Sequence, residues 1–183
     1  MKHLIIGNGI AGINAAQAIR YLDPEAEIVM VSDERFPPYS RPMISQVLDG
    51  SQPHEKLPLY AEDIYKKQEI TAILGERVAE LDVDNRSVRL ADDTEIDFDR
   101  LLIASGADAR KLQAGGMDLE NIFYMRTEAH VSRKLAGIAG ARQGLVLGGG
   151  LVGFKAAYGL LKRGLKVTML ITSGYPLSMQ VDE

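Results

Sequence analysis

Apolar positions along the chain change period several times, and those changes mark out its elements. His3 to Ile6 is a short apolar run that ends in a glycine cluster, Gly7-Asn8-Gly9-Ile10-Ala11-Gly12. Ile13, Ala16, Ile19 and Leu22 then recur at helical spacing, which predicts a helix. Asp23-Pro24 stops it, because proline disfavours the α conformation in the residue before it. Glu27 to Ser32 (EIVMVS) is rich in β-branched residues, reads as a strand and ends at Asp33-Glu34. Strand, glycine turn, helix and strand together spell a βαβ unit.

Phe36 to Pro42 holds three prolines in seven residues and cannot be regular structure. Met43 to Leu48 predicts a short helix closed by Gly50, Ala61 to Gln68 a second, and Ile70 to Leu74 a strand. Val78 to Asp82 and Ser87 to Leu90 alternate around Asp84-Asn85-Arg86, which signals a hairpin. Ile96 and Phe98 extend it into an antiparallel meander, and Leu101 to Ala104 is a buried strand leading into Ser105-Gly106. From Gly106 to about Gly116 the composition is that of a linker, and Thr127 to Ala139 predicts a helix. The opening pattern then returns. Leu145 to Leu147 is strand, Gly148-Gly149-Gly150-Leu151-Val152-Gly153 is turn, Phe154 to Lys162 is helix, and Lys166 to Ile171 is strand. Gly148 stands 141 positions beyond Gly7, so the chain repeats one unit. The expected class is α/β, with a Rossmann-like domain over 1–109 and the start of a second over 110–183.

Composition narrows the function. Of 183 residues, 46% are hydrophobic and 25% charged, which suits an ordinary globular core. A formal charge of −4 supplies no basic field, so neither nucleic acid nor an anionic membrane is an expected partner. No apolar run approaches the ~20 residues that span a bilayer. Met1-Lys2-His3 leads straight into a strand without a signal-peptide pattern, and the expected compartment is the cytoplasm. The absence of cysteine excludes disulfides, thiolate metal sites and a redox dithiol from these residues. His3, His54 and His130 have no metal-ligand spacing.

The glycines carry the chemistry. Gly7, Gly9 and Gly12 occupy the positions of G-x-G-x-x-G. The first permits the tight turn, the second lets a pyrophosphate approach the backbone, and the third lets helix and strand pack closely. Phosphates would then meet the N–H groups of Ile10, Ala11 and their neighbours at the positive end of the helix dipole. Asp33 or Glu34, at the end of the second strand, is placed to accept hydrogen bonds from ribose hydroxyls, and Asp33 is preferred. Gly148, Gly150, Leu151, Val152 and Gly153 form the second such turn. No carboxylate ends its next strand, where Thr172 and Ser173 stand, so the choice between NAD and NADP stays open. Lys155 is either a phosphate contact or a surface lysine.

With these motifs in order, the chain resembles the two-dinucleotide pyridine nucleotide oxidoreductases. It is most similar to their rubredoxin reductase and NADH-dependent nitrite reductase large-subunit branch. The resemblance rests on Gly7 to Gly12, Pro38 to Ser45, Leu101 to Gly106, Tyr124 to Thr127, and Gly148 to Gly153 with Ala156-Ala157. It implies FAD in the first unit and NAD(P)H in the second. Arg41 and Arg126 match FAD-contacting arginines, Pro42 a proline near the isoalloxazine, and Val78 a position whose backbone meets the adenine. Ala104-Ser105-Gly106 matches the signature that closes the first FAD segment. Read without the resemblance, Arg41 and Arg126 are loop arginines and Val78 a strand valine.

Gln46 stands where many relatives carry a lysine, which the nitrite reductase branch also lacks, and Lys155 replaces a common acid. Family members are considerably longer, with the nicotinamide domain inserted into the FAD domain. The second FAD segment is missing, so a fragment, a truncated product or one piece of a split enzyme is expected, with an oligomer or a partner segment completing the second unit. The implied reaction passes electrons from NAD(P)H through FAD to a rubredoxin, ferredoxin, haem or siroheme protein, or quinone. No side chain is nominated as a catalytic acid or base. The alternatives are a non-catalytic FAD- or nucleotide-binding module and a flavin monooxygenase, the latter disfavoured by the second glycine turn.

Overall fold

Strand β1 (Lys2–Ile6) is apolar on both faces, and so is β2 (Glu27–Ser32), because both are covered from two sides. A computed structural model describes residues 1–182, and the chain divides into two compact units. The first comprises Met1–Ser40 and Pro58–Ala107. Its parallel sheet has the order β3-β2-β1-β7, with β3 at Ile70–Leu74 and β7 at Arg100–Ile103. Leu4 of β1 lies opposite Val29 of β2 and Leu101 of β7.

Successive side chains of these strands enter different cores. Ile5, Ile28 and Met30 pack with Ile13 and Ala16 of α1 (Ile10–Leu22) and Ile64 of α3 (Ile64–Lys67). Leu4, Val29 and Val31 pack on the opposite face with Val88, Leu90 and Ile96. Those three residues belong to an antiparallel sheet of β4 (Val78–Asp82), β5 (Ser87–Leu90) and β6 (Glu95–Asp97), so the expected meander is present. Its first turn is closed at Asp82, whose carboxylate accepts from the Asn85 backbone N–H (2.9 Å) and from Asn85 Nδ2 (2.8 Å). These bonds hold the Asp82 carboxyl below its ordinary pKa. Helix α3 is shorter than the pattern over 61–68 predicts. Asp63 holds its N-cap position without a side-chain capping bond, Gln68 is its C-cap, and Glu69 then takes φ 50°.

The second unit comprises Arg41–Leu57 and the chain from Asp108 onward. Arg41–Leu57 lies inside the stretch 1–109, yet its helix α2 (Ile44–Asp49) packs on α5 (Leu151–Lys162). The contact is close. A Cβ at Gly159 would stand 2.6 Å from Leu48 Cγ, so only glycine lets the helices meet there. Arg163, just past α5, donates from Nε to the Leu48 carbonyl (2.9 Å) and from Nη2 to the Val47 carbonyl (3.2 Å), satisfying the carbonyls at the end of α2. Helix α4 (Glu128–Gly137) opens on a capping box. Thr127 Oγ1 accepts from the His130 backbone N–H (3.2 Å), and His130 Nδ1 accepts from the Thr127 backbone N–H (3.3 Å). The parallel pair β8 (Gln143–Leu147) and β9 (Lys166–Leu170) buries Val146 against Ala157, Leu160 and Leu165.

Candidate dinucleotide sites

Packing imposes two of the three glycines in the first turn. Gly7 has φ +114°, and a Cβ there would collide with the Ala104 carbonyl. A Cβ at Gly12 would collide with the Gly7 carbonyl, because α1 crosses the turn closely. Gly9 is different. Its backbone is extended (φ −80°, ψ −174°), and no heavy atom lies within 4 Å of where a Cβ would stand. It caps a 13-residue helix with no side-chain capping bond and no acid in the first turn. Ile10 is 54% exposed and Ala11 is also exposed. The turn therefore offers helix N–H groups and positive dipole to an open space, as a diphosphate requires.

Parallel pairing brings the carboxyl ends of β1, β2 and β7 to one edge, and the predicted residues with them. Ala104 continues β7, its N–H donating to the Ile6 carbonyl (2.7 Å), and Ser105 and Gly106 follow exposed. Asp33 is exposed, while Glu34 is half-buried and accepts from the Tyr39 hydroxyl at 2.7 Å. The Val78 side chain packs into the core beneath the meander, and Val78 pairs with Leu90 beside a register shift. Sequence reasoning missed Asn8. It is buried, donates from Nδ2 to the Phe36 carbonyl (3.0 Å) and accepts at Oδ1 from the Tyr65 hydroxyl (2.6 Å). Burial raises the Tyr65 phenol above its ordinary pKa, and the bond to Asn8 offsets part of that rise.

The remaining predicted residues lie in the second unit. Arg41 Nη1 donates to the Arg126 carbonyl (3.2 Å), so the two predicted arginines adjoin. Pro42 is exposed within a single helical turn over Arg41–Met43, and its carbonyl accepts from Ser45 Oγ (2.9 Å).

The second glycine turn reproduces the first in detail. Gly148 has φ +110°, a Cβ at Gly153 would collide with the Gly148 carbonyl, and Gly150 has nothing within 4 Å. The Gly148 N–H donates to Leu170 at 2.8 Å, as that of Gly7 does to Val31 at 2.8 Å. Leu151 and Val152 are exposed at the mouth of α5. One feature is absent: Gly148 has no neighbour corresponding to Ala104, since β8 pairs only with β9 among the described residues. The chain after β9 folds back, with the Leu177 N–H donating to the Gly149 carbonyl (2.8 Å). Thr172 and Ser173 are exposed, and the Ser173 hydroxyl donates to the Tyr175 carbonyl at 2.8 Å. Lys155 is exposed. Among the described residues no cluster of three His, Cys, Asp or Glu could hold a metal, and no helix is long and apolar enough to cross a membrane.

Comparison with known proteins agrees with this fold. A family model described as pyridine nucleotide-disulphide oxidoreductase matches residues 1–183. The ferredoxin–NAD(+) reductase subunit of a benzene 1,2-dioxygenase system from Pseudomonas putida is 38% identical over 168 residues, covering 91% of this chain and 40% of its own. Rubredoxin-NAD(+) reductase from the same species is 32% identical over 174 residues, covering 93% and 44%. The crystal structure of NADH:rubredoxin oxidoreductase from Clostridium acetobutylicum matches with a TM-score of 0.89 at 28% identity, over 99% of this chain and 47% of that one. The chain spans about two fifths of the length of these curated relatives.

Proposed function

This chain belongs to the pyridine nucleotide-disulphide oxidoreductase family, and from that premise we propose that it is the FAD-binding part, with the opening of the nicotinamide nucleotide-binding part, of an NAD(P)H oxidoreductase. The observation that carries the reading is the empty space beside Gly9 at the mouth of α1. The backbone N–H groups of Gly9 to Gly12 would hold the FAD diphosphate, and Asp33 and Glu34 the ribose hydroxyls. Arg41 and Arg126 are the proposed cationic contacts, with Pro42 near the ring system. Val78 and Ala104 to Gly106 are the proposed backbone contacts. The α5 mouth, at Gly148 to Gly153, would take the diphosphate of NAD(P)H in the same manner. On this reading 1–109 is the first FAD segment and 110–183 opens the nicotinamide domain.

FAD supplies the redox chemistry when bound, accepting electrons as a pair and releasing them singly or together. The residues here bind and orient. None is assigned proton transfer, and with no cysteine among them no dithiol relays electrons. The names of the relatives support a ferredoxin or rubredoxin as external acceptor. The cytoplasm, where reduced nicotinamide nucleotides are produced, is the proposed compartment. FAD titrated onto the purified chain should quench its fluorescence to saturation at one flavin per chain. Absence of saturable uptake overturns the reading.

A further inference from the structure

Asn8 sits where the glycine motif leaves the residue type open, yet its side chain is among the few buried polar groups of the described residues. The amide orientation follows from its partners. The Phe36 carbonyl can only accept, so Nδ2 faces it; Oδ1 is then left for the Tyr65 hydroxyl, which must donate. Both ends of the amide are used, and each reaches a different element. Phe36 lies in the loop after β2, with its ring edge-to-face on Tyr39 (centroids 5.5 Å apart, planes at 86°), and the Tyr39 hydroxyl holds Glu34. A continuous set of contacts thus runs from Tyr65 through Asn8 and Phe36 to Tyr39 and Glu34.

Such a link answers a problem that the turn creates. Gly7 and Gly9 give the backbone great freedom, and freezing it on ligand binding costs affinity. A side chain that pins the residue between them sets the N–H groups in advance. We infer that Asn8, held by Tyr65 and by the Phe36 carbonyl, is a positioning residue that pre-sets the diphosphate turn together with the loop carrying Glu34. Its ligand is the adenosine diphosphate half of the dinucleotide, and the inference rests on the FAD reading above.

The test uses the full chain and its Asn8→Ala, Tyr65→Phe and doubly substituted variants, with FAD and ADP as probes, the ADP affinity being read from its displacement of FAD so that only the first turn is reported. Affinities are measured well below the unfolding temperature of each variant. Loss of a buried hydrogen bond corresponds to about a tenfold weakening for Asn8→Ala, and about threefold is expected for Tyr65→Phe. ADP should weaken by the same factors as FAD. The double variant should bind about as well as Asn8→Ala alone, because both changes break one link. A merely structural role lowers the unfolding temperature but leaves the affinities of the folded protein unmoved, and that result overturns the inference. So does additive weakening in the double variant, or weakening for FAD without ADP. Should Asn8→Ala fail to fold, Tyr65→Phe alone decides: unchanged FAD and ADP affinity overturns it. Failure of the unaltered chain to bind either probe rejects instead the FAD reading.

Discussion

Gly9, like Gly150 in the second turn, separates fold from ligand cleanly. Gly7 and Gly12 are required by packing, since a Cβ at either meets backbone carbonyls. Gly9 has extended backbone that any residue adopts and open space around it. Gly9→Val should therefore cost only about 1 kcal/mol, the ordinary loss on replacing glycine by valine at a helix N-cap, while placing a branched side chain where the proposed diphosphate would lie. Thermal unfolding and FAD titration on the same sample check this. A variant that still takes up FAD, or that unfolds, contradicts it. The glycine pattern was legible because its constraint is local, with three residues in six positions serving one turn. The Asn8–Tyr65 bond was not, because it joins positions 57 apart and nothing in either residue type announces the other. Glu34 lies between these cases. Its acid was legible at the strand end, where Asp33 was preferred, but its Tyr39 partner was not.

Among the elements, β1 and α1 were placed by periodicity, and the second unit by repetition of their pattern. Positions 2–6 and 143–147 form equivalent strands, and each is followed by a glycine turn of the same geometry. Packing between distant segments was hidden. Gly159 reads as an unfavourable residue inside a helix until Leu48 is seen against it. Helix α4 hides something similar, since its buried positions are Val131 and Lys134, and the pattern gives no reason to turn a lysine inward. Burial lowers the Lys134 amine to about 8 from its ordinary 10.5. Below pH 8 the amine is charged in both states and the folded chain bears the full cost of burying it. From pH 8 to 10.5 the unfolded chain holds the proton more tightly, so stability rises with pH across that window. Lys134→Met should raise stability at pH 7 by on the order of 2–3 kcal/mol and flatten the rise. Denaturant unfolding of both proteins at pH 7 and pH 10 measures the difference. An unchanged gap between the two pH values contradicts it.

At the scale of the whole molecule, the units differ in how much apolar surface they cover. The first unit sandwiches β1 and β2 between helices and meander, although β7, expected to be buried, exposes Leu102 (40%) and Ile103 (60%). The second has a sheet of two strands, and an isolated strand pair is marginal unless its faces are covered. One face packs on α5; the other exposes Leu145 (62%), Leu147 (48%) and Leu170 (58%). Strand alternation makes this unavoidable, since β8 and β9 are apolar at successive positions, as the both-sides-covered strand β1 is. The sequence already implies the surplus, because a run patterned for burial on two faces has only one helix to bury it. The relatives carry more than half their length outside the region matched here. In the 183-residue chain alone, the cover available is a second copy of the same face. The chain should therefore self-associate, with an apparent mass in sizing chromatography with light scattering that rises with concentration. Leu147→Glu combined with Leu170→Lys should return it to monomer while circular dichroism and FAD uptake stay unchanged, because neither side chain is among the proposed FAD contacts. A chain that remains monomeric at every concentration, and does not enhance the fluorescence of an apolar dye, shows that this face tolerates water and removes the case for association.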